Sequence, residues 1–169
     1  MKRLLPLILL VFAAAACNTS GCYDNRNSIP LAGLYSYETL QKITLNTLMI
    51  YGIGAPGDSV LVNSGTGVSE IYLPMRSTAD NVSWVFHYTQ ADISGLDLND
   101  TISFDYTSHP YFASEECGAS YRYRITGCRW TKHLIDSLAI TDSLITNVDI
   151  VRIQIFMRTS QPSDPNLAQ

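Results

Sequence analysis

Nucleophilic, metal-assisted and acid–base chemistry each leave a spacing signature, and few residues in this chain of 169 could supply one. Gly118-Ala119-Ser120-Tyr121-Arg122 places a serine two residues after a glycine but lacks the second glycine of a nucleophile elbow, so Ser120 reads as a strand residue. Glu115 and Glu116 are adjacent acids, and neighbours in an extended chain point to opposite faces. His87, His109 and His133 are scattered, and no Cys-x-x-Cys pair exists, which leaves a metal without a cage. Asp97-Leu98-Asn99-Asp100 begins like a calcium loop, but Thr101 and Ile102 stand where a further oxygen ligand and the turn glycine belong. Gly65-Thr66-Gly67 has no third glycine to cradle a phosphate and reads as a hairpin turn. The expectation is a protein with no catalytic residues, no metal and no cofactor.

One thiol has a clearer fate. Lys2 and Arg3 form a basic head, residues 4–12 an apolar run broken only by Pro6, and Ala14-Ala15-Ala16 leads to Cys17, the layout of a secretory signal. Ala14 and Ala16 satisfy the small-x-small rule of ordinary cleavage. A cysteine directly after small residues also has the layout of a lipobox, whose thiol is diacylated before cleavage, although Ala14 stands where leucine is usual. Lipidation at Cys17 is expected, and two or three acyl chains at about 0.8 kcal/mol per buried methylene make an effectively permanent anchor. The expected organisation is a signal over residues 1–16, a lipidated tether over 17–32, a folded domain over 33–159 and a tail over 160–169. The polar composition of residues 18–30 agrees with a tether.

Loss of the signal leaves 153 residues, enough for one core, and the formal charge of −4 becomes −6 once Lys2 and Arg3 depart. Such a chain is ill-suited to nucleic acid, which demands a basic stripe. With 46% hydrophobic and 15% charged residues, it has the apolar surface to fold. The signal's apolar run is shorter than the roughly 20 residues that span a bilayer, and no later run is longer.

Positioning falls to strands. Trp84, Phe86 and Tyr88 alternate with smaller or polar residues, as do Ile102, Phe104 and Tyr106, then Tyr121, Tyr123 and Ile125, then Val151, Ile153, Ile155 and Met157. Weaker strand patterns occur over residues 34–39, 44–51, 59–62, 70–75 and 134–140. Turn chemistry separates them at residues 52–58, 63–67, 80–81 and 96–100, and at Ser108-His109-Pro110. Residues 37–48 mix helical spacing with three threonines and read as strand or irregular. An all-β fold follows, an antiparallel β-sandwich of about seven to nine strands, immunoglobulin-like in general architecture.

With Cys17 acylated, Cys22, Cys117 and Cys128 remain, and an odd count leaves one thiol over. Cys117 and Cys128 bracket a strand pattern whose eleven extended residues hold their α-carbons about 30 Å apart, against the roughly 4.4 to 6.8 Å of a disulfide. Cys22 is the better partner for one of them.

Cys22, Asp58-Ser59-Val60-Leu61, Ile71-Tyr72-Leu73-Pro74-Met75, Asp100-Thr101-Ile102, Ser114-Glu115-Glu116-Cys117-Gly118 and Ile135-Asp136-Ser137-Leu138 together resemble an uncharacterised family of small Bacteroidetes cell-envelope lipoproteins, a domain of unknown function. The likeness covers most of the mature chain. It implies a disulfide between Cys22 and Cys117, worth roughly 4 to 5 kcal/mol at most by loop-closure entropy, and no activity. Cys128 is then the free thiol. The same phylum attaches O-glycans at Asp, then Ser or Thr, then an apolar residue, which marks Ser59, Thr101, Ser137 and Ser143 as acceptors; the alternative is that these dipeptides simply open turns and strands.

Binding is the remaining functional class. Ten tyrosines and two tryptophans can stack on sugars or build the core, and their alternation favours the core. Arg122, Arg124, Arg152 and Arg158 fall on the outer side of their strands and form a basic patch if those strands are neighbours, with Trp130 as the aromatic beside it; the bland alternative is a solvated face with salt bridges to Asp105. The expected protein is a non-enzymatic, lipid-anchored interaction or accessory module with an envelope protein or glycan as partner, the alternative being a surface glycan-binding lipoprotein. Asn18-Thr19-Ser20-Gly21 lacks the acidic run that accompanies surface export in Bacteroidetes lipoproteins, which points to the periplasmic face of the outer membrane.

Overall fold

Strands with apolar side chains at every second position need a second layer to cover them, and here two sheets supply it for each other. The computed structural model describes residues 28–54, 59–89, 99–114 and 118–158. Ten strands lie among them: β1 (Leu31–Ser36), β2 (Leu48–Gly52), β3 (Val60–Gly65), β4 (Glu70–Tyr72), β5 (Asn81–Tyr88), β6 (Asp100–Ser114), β7 (Gly118–Trp130), β8 (Ile135–Ile140), β9 (Leu144–Ile145) and β10 (Val151–Met157). A four-stranded sheet, ordered β4-β1-β10-β8, packs on a six-stranded one, ordered β3-β2-β5-β6-β7-β9. Leu34, Ile153 and Ile155 from the first meet Ile50, Phe86 and Phe104 from the second in a core closed to solvent.

The all-β sandwich is as the alternation implies, with three differences. β9 is two residues long and too short to show a period. β1 pairs with β10 in parallel, from Leu31↔Val151 to Ser36↔Met157, a relation between the ends of the fold that no local pattern encodes. Ser108-His109-Pro110, expected as a break, lies inside β6. β5 pairs with β6 only from Asp100 to Asp105, so farther along one side of β6 carries no ladder to β5 and a proline costs nothing there. Residues 37–47 are irregular, with Leu40 and Thr47 in the left-handed region at φ 59° and 54°.

The crossing from the large sheet to the small one is fixed by a buried acid. Between Trp130, the end of β7, and Ile135, the start of β8, the chain wraps the Asp100 carboxylate, which is wholly buried. Asp100 Oδ1 accepts the Thr131 hydroxyl at 2.7 Å and the His133 amide at 2.9 Å; Oδ2 accepts the amides of Leu134 at 2.8 Å and Ile135 at 2.9 Å and the Tyr88 phenol at 3.0 Å. Five donors replace the water a carboxylate loses on burial, and without them burial would be prohibitive.

Candidate functional site

Past Asp105, β6 and β7 outrun β5 and continue as a two-stranded arm. Their register there is Thr107↔Arg124, Ser108↔Tyr123, His109↔Arg122, Pro110↔Tyr121, Tyr111↔Ser120 and Phe112↔Ala119. Period two sorts these pairs onto two faces. The inner face carries Ser108, Pro110, Phe112, Ala119, Tyr121 and Tyr123; the outer carries Thr107, His109, Tyr111, Ser120, Arg122 and Arg124. Gly118, at φ 71°, starts β7 in a conformation that favours glycine.

At the base of the inner face the arm is tied to the segment after β4. The Tyr106 phenol donates to the Arg76 carbonyl and accepts the Arg76 amide, both at 3.0 Å, and the Ser108 hydroxyl donates to the Ser77 carbonyl at 3.0 Å. Tyr106 and Tyr123 meet edge to face with centroids 5.5 Å apart. Burial, and then the neighbouring Tyr106 and Tyr121, raise the Tyr123 phenol above its ordinary value, so it stays a neutral donor. Between segment and arm lies a cleft of about 600 Å³, lined among others by Ile29, Pro74, Arg76, Thr78 and Tyr121. That volume is within the range of small-molecule sites. Tyr121 is 40% exposed on its wall and Phe112 67% exposed farther out.

On the outer face the Arg122 guanidinium carbon sits 4.0 Å from the centroid of the Tyr111 ring, a cation–π contact. His109 Nε2 and the Thr107 hydroxyl are 3.0 Å apart. Arg122 and Arg124 are exposed, and neither is in an ion pair among the described residues.

The four-residue patch of Arg122, Arg124, Arg152 and Trp130 does not assemble. Arg152 belongs to β10 in the other sheet and is buried: Nη1 donates to the Val148 carbonyl at 2.9 Å, Nη2 to the Thr146 hydroxyl at 3.1 Å, and Nε lies 3.6 Å from Asp142. Alternation placed it outside, but residues 142–148 fold over that side of β10 and take it in. Arg158 pairs with Asp136 at 2.8 Å. Asp105 pairs with Arg129, which holds its carboxyl below the usual range, and not with the patch arginines. Trp130 is half-buried against the core, its indole N–H donating to the Asp136 carbonyl at 3.3 Å. Period two does put Arg122 and Arg124 together, as the sequence implies, but the partner aromatic is Tyr111, hidden from sequence reading by the supposed turn before it.

Cys17, Cys22 and Cys117, with the proposed lipid and disulfide, lie outside the described residues. Cys128 is a free, half-buried thiol, and burial pushes it up to about 11. Ser59 is exposed, while Thr101, Ser137 and Ser143 are half-buried. His87 Nδ1 meets the Asn99 side chain at 2.6 Å and His133 Nδ1 donates to the Asn99 carbonyl at 2.8 Å. No group of three His, Cys, Asp or Glu side chains suited to a metal occurs among the described residues.

Residues 47–157 match a family of unknown function (DUF6452), a span that covers well over half of the chain. The chain belongs to that family. The DUF6452 match runs from the residue before β2 to the last of β10, so Asp100, the whole arm and the cleft lining other than Ile29 lie inside it, while β1 lies outside. No curated protein and no solved structure matches the chain.

Proposed function

We propose that this DUF6452 protein is a lipid-anchored module of the cell envelope that binds a partner through the β6–β7 arm and the cleft at its base and performs no chemistry of its own. The observation that carries the reading is the arm itself: Phe112 and Tyr121 stand exposed on a projection that the core does not require, beside a cleft of about 600 Å³. The signal-like segment ending at Cys17 supports export and acylation, and residues 18–21 support the periplasmic face of the outer membrane in a bacterium of the Bacteroidetes.

A photo-crosslinking residue at Phe112 in native membranes tests this. One discrete adduct that is lost with Tyr121→Ser is the expected result; absence of any adduct overturns the reading. Glycan binding at the cell surface is the second reading, favoured by Tyr121, whose exposed ring on the cleft wall suits a sugar face. Protease treatment of intact cells separates the two, because cleavage with a sealed outer membrane excludes the periplasmic side.

A further inference from the structure

We infer that the outer face of the arm is a docking stripe for an acidic polysaccharide, gripped by Arg122 and Arg124. The inference deepens the proposed binding role by naming a ligand class, and it uses the face opposite the cleft. Two positions apart on β7, these arginines project to one side about 6.6 Å from each other. Arg129, Arg152 and Arg158 each have a carboxylate partner, at 2.6, 3.6 and 2.8 Å respectively. Arg122 and Arg124 have none among the described residues, although the chain carries 15 acids against 11 lysines and arginines. Two neighbouring cations with no carboxylate paired to them among the described residues give the stripe its positive charge, as Arg76 and Lys132, also without such a pair, do only singly.

The Tyr111 ring, 4.0 Å from the Arg122 guanidinium, restrains that side chain before any ligand arrives. A guanidinium lying on an aromatic face keeps its in-plane N–H fork for a carboxylate. Across the strand pair, Thr107, His109 and Tyr111 stand opposite Arg124, Arg122 and Ser120, so hydroxyl and imidazole groups interleave with the charges. That mixture matches a uronic-acid chain, which alternates carboxylates with hydroxyls. Two cations on an acidic protein are too sparse for nucleic acid. A membrane surface calls for apolar side chains beside the cations, and on this arm Phe112 and Tyr121 occupy the other face.

The test uses polygalacturonate as probe and the full chain purified from membranes. Binding that weakens with salt, absent for neutral dextran, is expected; Arg122→Gln with Arg124→Gln lowers affinity about tenfold or more, and Tyr111→Leu does so less. With the photo-crosslinking residue at position 112, Arg122→Gln with Arg124→Gln leaves the crosslinked adduct unchanged while polysaccharide binding falls, so the stripe and the proposed arm-and-cleft site fail separately. Unchanged thermal midpoints in the variants exclude misfolding. No binding by the wild-type chain, equal binding by the double variant, or equal binding to polyglutamate or to phosphatidylglycerol vesicles overturns the proposal.

Discussion

The Tyr88 phenol donates to Asp100 Oδ2 at 3.0 Å, and both side chains are sealed inside the sandwich. Four further donors from residues 131–135 converge on the same carboxylate, so Asp100 joins β5, β6 and the crossing into β8. Asp100→Ala strands these donors without a partner. A loss of about 3 to 5 kcal/mol in urea unfolding is expected, against about 1 kcal/mol for Tyr88→Phe, which removes one bond and keeps the ring.

Alkali attacks the same place. Burial first, and then the Asp100 charge and hydrogen bond, push the Tyr88 phenol well above its ordinary value of 10.0. A group whose proton is held more tightly in the folded state contributes stability that is complete below the unfolded value and is lost as pH rises towards the folded one. Stability is therefore expected to decline above about pH 10. Phenolate absorbance from Tyr88 should appear only with unfolding, and Tyr88→Phe should flatten the decline.

Cys128 faces a similar constraint. Its thiol, pushed up to about 11 by burial, holds little thiolate at pH 8 and should react with a disulfide reagent far more slowly than an unhindered thiol, until denaturant is added. Peptide mapping without reductant should find Cys128 free and Cys22 joined to Cys117. A bridge from Cys128 to Cys22 or Cys117 would refute that pairing.

Two aromatic residues separate core from surface. Trp130→Ala removes a ring packed on the core and its bond to Asp136, and about 2 kcal/mol of stability should go with it. Tyr121→Ser, at an exposed position, should change stability by about 0.5 kcal/mol or less. Equal losses would place Tyr121 in the core.

For the acceptor motifs, exposure ranks the outcomes. In Asp100-Thr101-Ile102 the first and last residues are wholly buried, so the folded protein hides the motif, whereas Ser59 is exposed. Intact mass and glycopeptide mapping should show occupancy at Ser59 ahead of Thr101 if modification follows folding.

Alternation was enough to recognise β5, β6, β7 and β10, because each has one face in the core and one outside. It failed where a side chain's surroundings come from distant sequence. Arg152 sits at an outward position of β10 and is buried only because residues 142–148 cover it. Asp100 reads as a turn acid or a glycan motif, since its five donors lie 12 to 35 residues away. The arm is not legible in the sequence because Ser108-His109-Pro110 has turn chemistry, and only the absence of β5 beyond Asp105 makes a proline acceptable there.

β1 lies between β4 and β10, so the first described strand is interior to its sheet and not an edge. A pull on the N-terminal end of β1 along the strand loads the three registered pairs with β4 and the six with β10 in shear, and they must yield together instead of peeling one at a time. Under the proposed anchoring at Cys17 and binding through the arm, force between the two attachments would meet this most resistant geometry.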